Sequence, residues 1–300
     1  MPGRASASIV IPFAVATAGI FTFSLMDAAM KGLSLAIGAY NALLWRTLAG
    51  ALFGGAVYLA RRMPWPGPAA MRMHVLRGSL SSAMAIAFFW GLARIPLAQG
   101  VALAFIAPLI ALYLAALLLG ERIERRAILA SLLGFGGVLV IFAGQAEARL
   151  GPEALRGALA ILASACLYAY NIILMRKQAL VAGPIEIAFF MSLIMSAWFA
   201  LAAPWLAQWP ARQHLLPIGA AALLAFASLM LLSWAYARAE AQHLAPVEYS
   251  AFIWASLLGL VIFHEPVRPL TLAGALLIVA GCFLAVRRGR APMADIEAAI

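Results

Sequence analysis

The chain contains ten apolar runs that are each long enough to cross a lipid bilayer, and this feature constrains its fold more than any other. A helix needs about 20 largely apolar residues to cross the hydrocarbon core of a membrane. The pattern therefore predicts an all-α integral membrane protein with ten transmembrane helices joined by short connections. The predicted spans are 9–30, 38–60, 74–93, 97–119, 127–145, 155–175, 185–206, 214–237, 243–263 and 269–287.

The composition indicates the same class of protein. Hydrophobic residues make up 66% of the chain and charged residues 11%, whereas soluble proteins average about 45–50% and about 25%. A soluble protein of this composition would lack the polar surface needed to cover its core, so large soluble catalytic domains are excluded. Cys166 and Cys282 both lie within apolar runs, and we therefore expect no disulfide framework.

The formal net charge of +10 comes from basic residues placed mainly between the apolar runs. A nucleic-acid groove needs basic residues with interleaved aromatic ones, so we expect the lipid bilayer, and no nucleic acid, as a partner. Cytoplasmic segments of membrane proteins carry an excess of Lys and Arg. A cytoplasmic N-terminus gives fourteen such residues inside and six outside, which predicts a multi-pass protein of the inner (plasma) membrane with both termini in the cytoplasm. The six outside are Lys31, Arg94, Arg149, Arg156, Arg212 and Arg268, while Arg46 lies within a span and Arg77 is counted inside.

The two halves of the chain match at an offset of 144 residues, as in Arg94 with Arg238. Each half has five predicted spans, an odd number, so the second half enters the bilayer from the opposite side. Such inverted repeats are typical of secondary transporters with a site near the bilayer midplane. The predicted units are residues 1–147, residues 148–290 and a short cytoplasmic tail, 291–300. Other matches are Glu121 with Glu265, Gly137 with Gly281, and Asp27 opposite Asn171.

Several of these segments carry a resemblance to a known family. The first copy has Leu103–Pro108, Leu119–Arg122, Gly134 and Gly136-Gly137, and the second has Tyr249–Gly259, Phe263–Pro266 and Gly274 to Gly281. With Asp27–Lys31 and Arg46, they resemble the EamA-type family of the drug/metabolite transporter superfamily. The resemblance implies a ten-helix carrier of metabolites, most similar to exporters of aromatic and neutral amino acids.

Three ionisable residues lie within or beside the first two predicted spans. Asp27 and Lys31 are four residues apart on one helix face, in the favourable acid-first order, and Arg46 could reach the same carboxylate from the second span. One interpretation is an ion network that locks the two spans together. The other is a gate or proton site, because an ionisable side chain inside a membrane is a functional candidate by default.

A substrate site is predicted between the two repeats. Tyr168 and Asn171 share one helix face, and Glu248, Tyr249 and Phe252 form a polar and aromatic face in the ninth span. Glu248 would exchange protons or bind a substrate ammonium, unless the ninth span begins later and Glu248 is only interfacial. Asn171 or the Tyr168 hydroxyl would bind a carboxylate. The candidate substrate-binding residues are Ser82, Phe105, Tyr168, Asn171, Trp234, Glu248, Tyr249 and Phe252, and the candidate gating residues are Asp27, Lys31 and Arg46.

The predicted function is a secondary transporter that exports small metabolites, foremost neutral or aromatic amino acids, by alternating access. The alternatives are an exporter or importer of another small metabolite, vitamin or drug-like amine, a channel, and a non-transporting membrane enzyme or assembly factor. The sequence has no Walker-type phosphate loop and no convergent metal ligands. We therefore expect no enzymatic activity, no cofactor, no metal and a monomeric carrier of a small-molecule substrate.

Overall fold

The computed structural model describes residues 10–119, 125–147, 151–236, 238 and 247–286, and within them every regular element is an α-helix. Glu121 and the predicted tail 291–300 lie outside the described residues. By length and composition, five described helices could cross a membrane, and the other apolar helices are shorter. The helices are α1 (Val10–Ala60), α2 (Pro68–Leu92), α3 (Leu97–Ala104), α4 (Ala107–Leu119), α5 (Arg125–Glu147), α6 (Gly151–Ala179), α7 (Pro184–Leu201), α8 (Ala203–Leu206), α9 (Arg212–Tyr236), α10 (Ser250–Phe263) and α11 (Pro269–Val286).

The first two predicted spans form one 51-residue element that bends at Gly38. Gly38 has φ 79° and ψ 149°, a region of backbone space that is essentially restricted to glycine. The prediction of a connection over residues 31–37 is wrong, because the first arm of α1 continues as helix up to the bend. A single glycine therefore makes the turn between the two arms.

The fourth predicted span is divided into two helices. α3 ends at Ala104, and α4 begins at Ala107 after a tight turn in which the Ile106 amide donates to the Leu103 carbonyl at 3.3 Å. The seventh predicted span is also divided, into α7 and the four-residue α8. The described helix of the ninth predicted span, α10, begins at Ser250, so Glu248 and Tyr249 lie before it, and α2 begins six residues before the predicted start of the third span. The other described helices agree with the predicted spans to within four residues at each end.

Packing between the helices brings small residues together. α1 packs against α7 and α9, α2 against α6, α5 against α11, and α3 against α10. A Cβ added at Gly91 would lie 2.5 Å from the Gly157 carbonyl oxygen, and one added at Gly137 would lie 2.5 Å from that of Gly274. Such close backbone approach through small residues is typical of helix pairs in membranes.

Helix α2 connects the two ends of the helix bundle. His74 lies in its second turn and Ile95 just beyond its last residue, Leu92. The helix rises about 27 Å from His74 to Leu92, at about 1.5 Å per residue. That rise is close to the thickness of a hydrocarbon core, about 30 Å. We refer to the end near Ile95 as the Lys31 end, since Lys31 contacts Ile95, and to the opposite end as the His74 end.

Candidate functional site

An ion pair joins distant parts of the chain at the Lys31 end. Lys31 Nζ in α1 lies 2.5 Å from Glu265 Oε1, in the connection between α10 and α11, and donates to the Ile95 carbonyl at 2.8 Å. The second carboxylate oxygen, Oε2, accepts from the Leu97 amide at the start of α3, at 2.8 Å. The Lys31 side chain is only 2% exposed and that of Glu265 23%. The cluster therefore ties α1 to the start of α3 and to the end of α10.

The arrangement of Lys31 differs from the predicted network, in which Lys31 and Arg46 both pair with Asp27. The Lys31 ammonium binds Glu265 and the Ile95 carbonyl instead, because the packing of α1 brings these distant parts of the chain within hydrogen-bond distance of it. Asp27 is 6% exposed and interacts electrostatically with Arg46 in the second arm of α1. Arg46 Nε is buried without a hydrogen-bond partner. Charge attraction therefore links Asp27 and Arg46 across the Gly38 bend.

Towards the His74 end, Arg77 of α2 reaches two buried amides of α6. Its Nε donates to Asn171 Oδ1 at 3.2 Å, and its Nη1 donates to Gln178 Oε1. The two amides are seven residues apart, which places them two turns apart on one face of α6. A guanidinium presents several donors in a fixed plane and can hold both at once. Since amides are neutral, they orient the positive charge of Arg77 without cancelling it.

Gln178 continues this chain of hydrogen bonds to His74 and Glu186. Gln178 Nε2 lies 2.7 Å from His74 Nδ1, and His74 Nε2 lies 2.8 Å from Glu186 Oε1 at the start of α7. The His74 side chain is 0% exposed and that of Glu186 is 14% exposed. The imidazole also stacks on the Phe190 ring, with the ring centroids 4.9 Å apart. Helices α2, α6 and α7 thus meet in one polar cluster at the His74 end.

Tyr168 connects this cluster to Glu248. Tyr168 interacts electrostatically with both Arg77 and Glu248. It lies on the same face of α6 as Asn171, three residues away, and it is 38% exposed. The structure thus brings two predicted site residues, Tyr168 and Asn171, to the guanidinium of Arg77, and it brings a third, Glu248, to Tyr168.

Three predicted aromatic residues lie on the hydrophobic core between the two ends. Phe105, at the end of α3, meets Tyr249, immediately before α10, with ring centroids 5.4 Å apart and an interplanar angle of 84°. Tyr249 also contacts Phe283 of α11 at 5.2 Å. Phe252 packs against the same core as Phe105 and Tyr249. These rings provide an apolar wall where α3 and α10 meet.

Ser82 and Trp234 are engaged elsewhere. The Ser82 hydroxyl donates to the carbonyl of Gly78 in its own helix at 2.8 Å. Trp234 lies near the end of α9 with 37% of its surface exposed, and the Arg238 guanidinium lies 4.1 Å from the centroid of its ring. The structure does not bring these two side chains to the cluster around Arg77.

Sequence reasoning missed several members of the two polar clusters. Arg77 was counted with the charges that flank the spans, although it lies inside the third predicted span. Its position within a span was the signal that could have identified it as a candidate functional residue. Gln178 lies seven residues after Asn171, a spacing that places both amides on one helix face. Glu265 appeared as a repeat match and within a segment that carries the family resemblance, but no role was predicted for it. Among the described residues, no three His, Cys, Asp or Glu side chains are grouped so as to hold a metal ion.

Curated relatives of this chain are transporters. The pseudopaline exporter CntI of Pseudomonas aeruginosa is 28% identical over 274 residues, covering 87% of this chain and 91% of that protein. An uncharacterized transporter of Helicobacter pylori is 29% identical over 185 residues, covering 58% of this chain and 60% of that protein. The helical fold is also found in a crystal structure with 23% sequence identity and a TM-score of 0.58, covering 94% of this chain and 97% of that chain.

The sequence profile of the EamA-like transporter family matches the chain twice, over residues 10–143 and 155–287. These two matches take in nearly all of the described helices and both polar clusters. The chain belongs to the EamA-like transporter family.

Proposed function

We propose that the protein is a secondary transporter that exports neutral or aromatic amino acids across the inner membrane by alternating access. Its architecture would be ten spans in two inverted repeats, residues 1–147 and 148–290. The observation that carries this proposal is the contact between Phe105 and Tyr249, whose ring centroids are 5.4 Å apart. These residues occupy equivalent positions of the two repeats, 144 residues apart.

A contact between equivalent positions has a simple geometric meaning. When a twofold axis relates two repeats, only residues close to that axis can touch their own counterparts. Phe105 and Tyr249 also stand where helices are interrupted, at the end of α3 and immediately before α10. Substrate sites of inverted-repeat transporters lie at the repeat interface and are formed by discontinuous helices. The ring pair therefore supports a substrate site between these helices.

The polar residues around this position match the two ends of an amino acid. Arg77 keeps its positive charge, since its hydrogen bonds go to the neutral amides of Asn171 and Gln178. A guanidinium binds a carboxylate through two parallel hydrogen bonds. Glu248 interacts electrostatically with Tyr168 and supplies the negative charge for an ammonium group. Phe105 and Tyr249 supply the apolar surface that an amphipathic side chain requires.

The Lys31 cluster acts in this proposal as the gate at one end. Lys31 and Ile95 belong to the first repeat and Glu265 to the second, so their contacts close the repeats against each other. Opening this end requires Lys31 to leave Glu265. Asp27 lies one turn before Lys31 along α1, and its interaction with Arg46 would change as the gate opens. The positive-inside rule places the Lys31 end outside, the His74 end in the cytoplasm and both termini in the cytoplasm.

A transport assay with the purified protein in proteoliposomes tests this proposal. A panel of radiolabelled amino acids and vitamins, with pseudopaline included because a relative exports it, identifies the substrate. We expect saturable uptake of a neutral or aromatic amino acid with counterflow, which a channel or a non-transporting protein would not show. If only other compounds are taken up, the substrate is another small metabolite and not an amino acid. The similarity to a pseudopaline exporter favours this alternative.

Two substitutions and one control locate the site. Glu248→Gln and Asn171→Ala should each lower transport at least several-fold with normal expression, because each removes a group that orients or binds the substrate. Trp205→Ala should have little effect, since Trp205 is 80% exposed on α8. Unchanged rate and apparent affinity in both site variants would show that these residues only pack.

A further inference from the structure

The hydrogen bonds from Arg77 to Glu186 form a relay with a fixed direction. Its four members, Arg77, Gln178, His74 and Glu186, come from α2, α6 and α7. Arg77 has donors only, so it requires the oxygen of the Gln178 amide. The Gln178 amide nitrogen, which also only donates, must then face His74 Nδ1, which lies 2.7 Å away.

This direction determines where the imidazole carries its proton. Since Nδ1 accepts from Gln178, the proton of the neutral ring is on Nε2, which donates to Glu186 Oε1 at 2.8 Å. A second proton on Nδ1 would face the amide N–H groups of Gln178. Gln178 could then accept only by rotating its amide, and its nitrogen would face the guanidinium of Arg77. As long as Arg77 holds Gln178, the relay excludes a proton from Nδ1.

We propose that binding of a substrate carboxylate at Arg77 is coupled through Gln178 to the uptake of one proton by His74. The carboxylate takes the Nη1 donor of Arg77 away from Gln178. The released amide rotates, so its oxygen accepts from Nδ1, and a hydronium ion of the solvent gives its proton to Nδ1 and becomes water. The resulting imidazolium pairs with Glu186. This inference rests on the proposed function, which places the substrate carboxylate at Arg77.

The charges around His74 favour this exchange. Glu186 faces it from α7, Arg77 lies one turn away on α2, and α6 contributes the neutral Gln178. Tyr58 of α1 interacts electrostatically with Glu186. One carboxylate and one proton add no net charge to the buried cluster, whereas an unpaired charge there would be strongly destabilising. Coupling between two binding events is reciprocal, so proton binding at His74 would also strengthen substrate binding.

The hydrogen-bond pattern can be tested without any substrate by nitrogen NMR of the full-length protein in detergent, with labelled histidine. The chain has four histidines, and His74→Gln identifies the signal of His74. We expect a bare Nδ1 and a protonated Nε2 in the wild type. In Gln178→Glu the carboxylate can accept from Arg77 and from Nδ1 together, so His74 should carry both protons. An identical His74 signal in the two proteins would overturn the relay.

Proton uptake on ligand binding tests the coupling itself, with L-phenylalanine as the probe and a pH indicator as the readout. The wild type should take up about one proton per bound molecule, as linkage requires. His74→Gln should bind the probe and take up none, and Gln178→Glu should also take up none. His214→Gln, at a partly exposed position near the start of α9, is the matched control and should behave as the wild type.

The outcomes separate this proposal from the proposed function. Probe binding without proton uptake in the wild type, or proton uptake retained in His74→Gln, overturns the coupling and leaves the transporter proposal intact. If L-phenylalanine does not bind, this amino acid is not a substrate and the proposed function fails for it. The NMR comparison of the wild type with Gln178→Glu then decides alone for or against the relay.

Discussion

At the scale of single residues, Lys31 shows how this chain tolerates a charge in an apolar interior. Moving an ammonium group out of water costs several kcal/mol, which is offset only by an opposite charge and by hydrogen bonds in good geometry. Lys31 has the Glu265 carboxylate at 2.5 Å and the Ile95 carbonyl at 2.8 Å. The same carboxylate also accepts from the Leu97 amide, so both carboxylate oxygens of Glu265 accept a hydrogen bond.

This arrangement predicts strong coupling between Lys31 and Glu265. Lys31→Met and Glu265→Gln should each lower the free energy of unfolding by roughly 1–3 kcal/mol, less than for a fully buried pair because Glu265 is 23% exposed. The double variant should lose less than the two single losses together, by about 1–2 kcal/mol. SDS-driven unfolding in mixed micelles measures these values. Additive losses would show that the two charges do not stabilise each other.

An exposed ion pair provides the matched control. Arg156 and Glu153 approach to 2.5 Å at the start of α6, but their side chains are 66% and 56% exposed. Exposed pairs contribute at most about 1 kcal/mol. Arg156→Gln should therefore leave the unfolding curve nearly unchanged in the same assay.

At the scale of elements, the bend at Gly38 depends on backbone freedom alone. A Cβ added at Gly38 would meet nothing within 4 Å, and the same holds for Gly32 in the first arm of α1. The two positions differ in backbone conformation, since only Gly38 has a positive φ, 79°. Gly38→Ala should lower the free energy of unfolding by about 1–3 kcal/mol. Gly32→Ala should be neutral or stabilising by up to about 1 kcal/mol. Equal effects would contradict this account of the bend.

The packing of α5 against α11 gives a second prediction at this scale, from two adjacent glycines. A Cβ at Gly137 would lie 2.5 Å from the Gly274 carbonyl oxygen, whereas one at Gly136 would meet nothing within 4 Å. Gly137→Ala must push the helices apart and should cost about 1–3 kcal/mol, the usual penalty for overpacking. Gly136→Ala should not destabilise the protein. Thermal unfolding followed by tryptophan fluorescence distinguishes them, and equal melting temperatures would argue against this contact.

Local spacing in the sequence predicts contacts within an element but not the partners between elements. The three-residue spacing of Tyr168 and Asn171 predicts their common helix face, because helical geometry alone decides it. The Lys31–Glu265 ion pair spans 234 residues, so no local pattern can show it. The four-residue spacing of Asp27 and Lys31 even favoured Asp27 as the partner of Lys31. The sequence does not reveal how far α1 extends beyond the predicted span, and therefore does not reveal what Lys31 contacts.

At the scale of the whole molecule, the distribution of basic residues predicts the orientation in the membrane. Reporter fusions after residues 68 and 290 should be active in the cytoplasm, and a fusion after residue 150 should be active in the periplasm. The reason is the excess of Lys and Arg on one side of the ten predicted spans. A periplasmic C-terminus would contradict the arrangement of two five-span repeats.

The central claim is that this family member is a carrier whose substrate site includes the charge of Arg77. Counterflow of radiolabelled L-phenylalanine in proteoliposomes tests it most directly, with Arg77→Lys compared with Arg72→Lys, an exposed position on the same helix. A lysine cannot hold the Asn171 amide and bind a carboxylate through two parallel hydrogen bonds as a planar guanidinium does. We predict saturable counterflow in the wild type and in Arg72→Lys, and a loss of at least about tenfold in Arg77→Lys, equivalent to about 1.4 kcal/mol. Linear flux without counterflow, or equal counterflow in all three proteins, would contradict the claim.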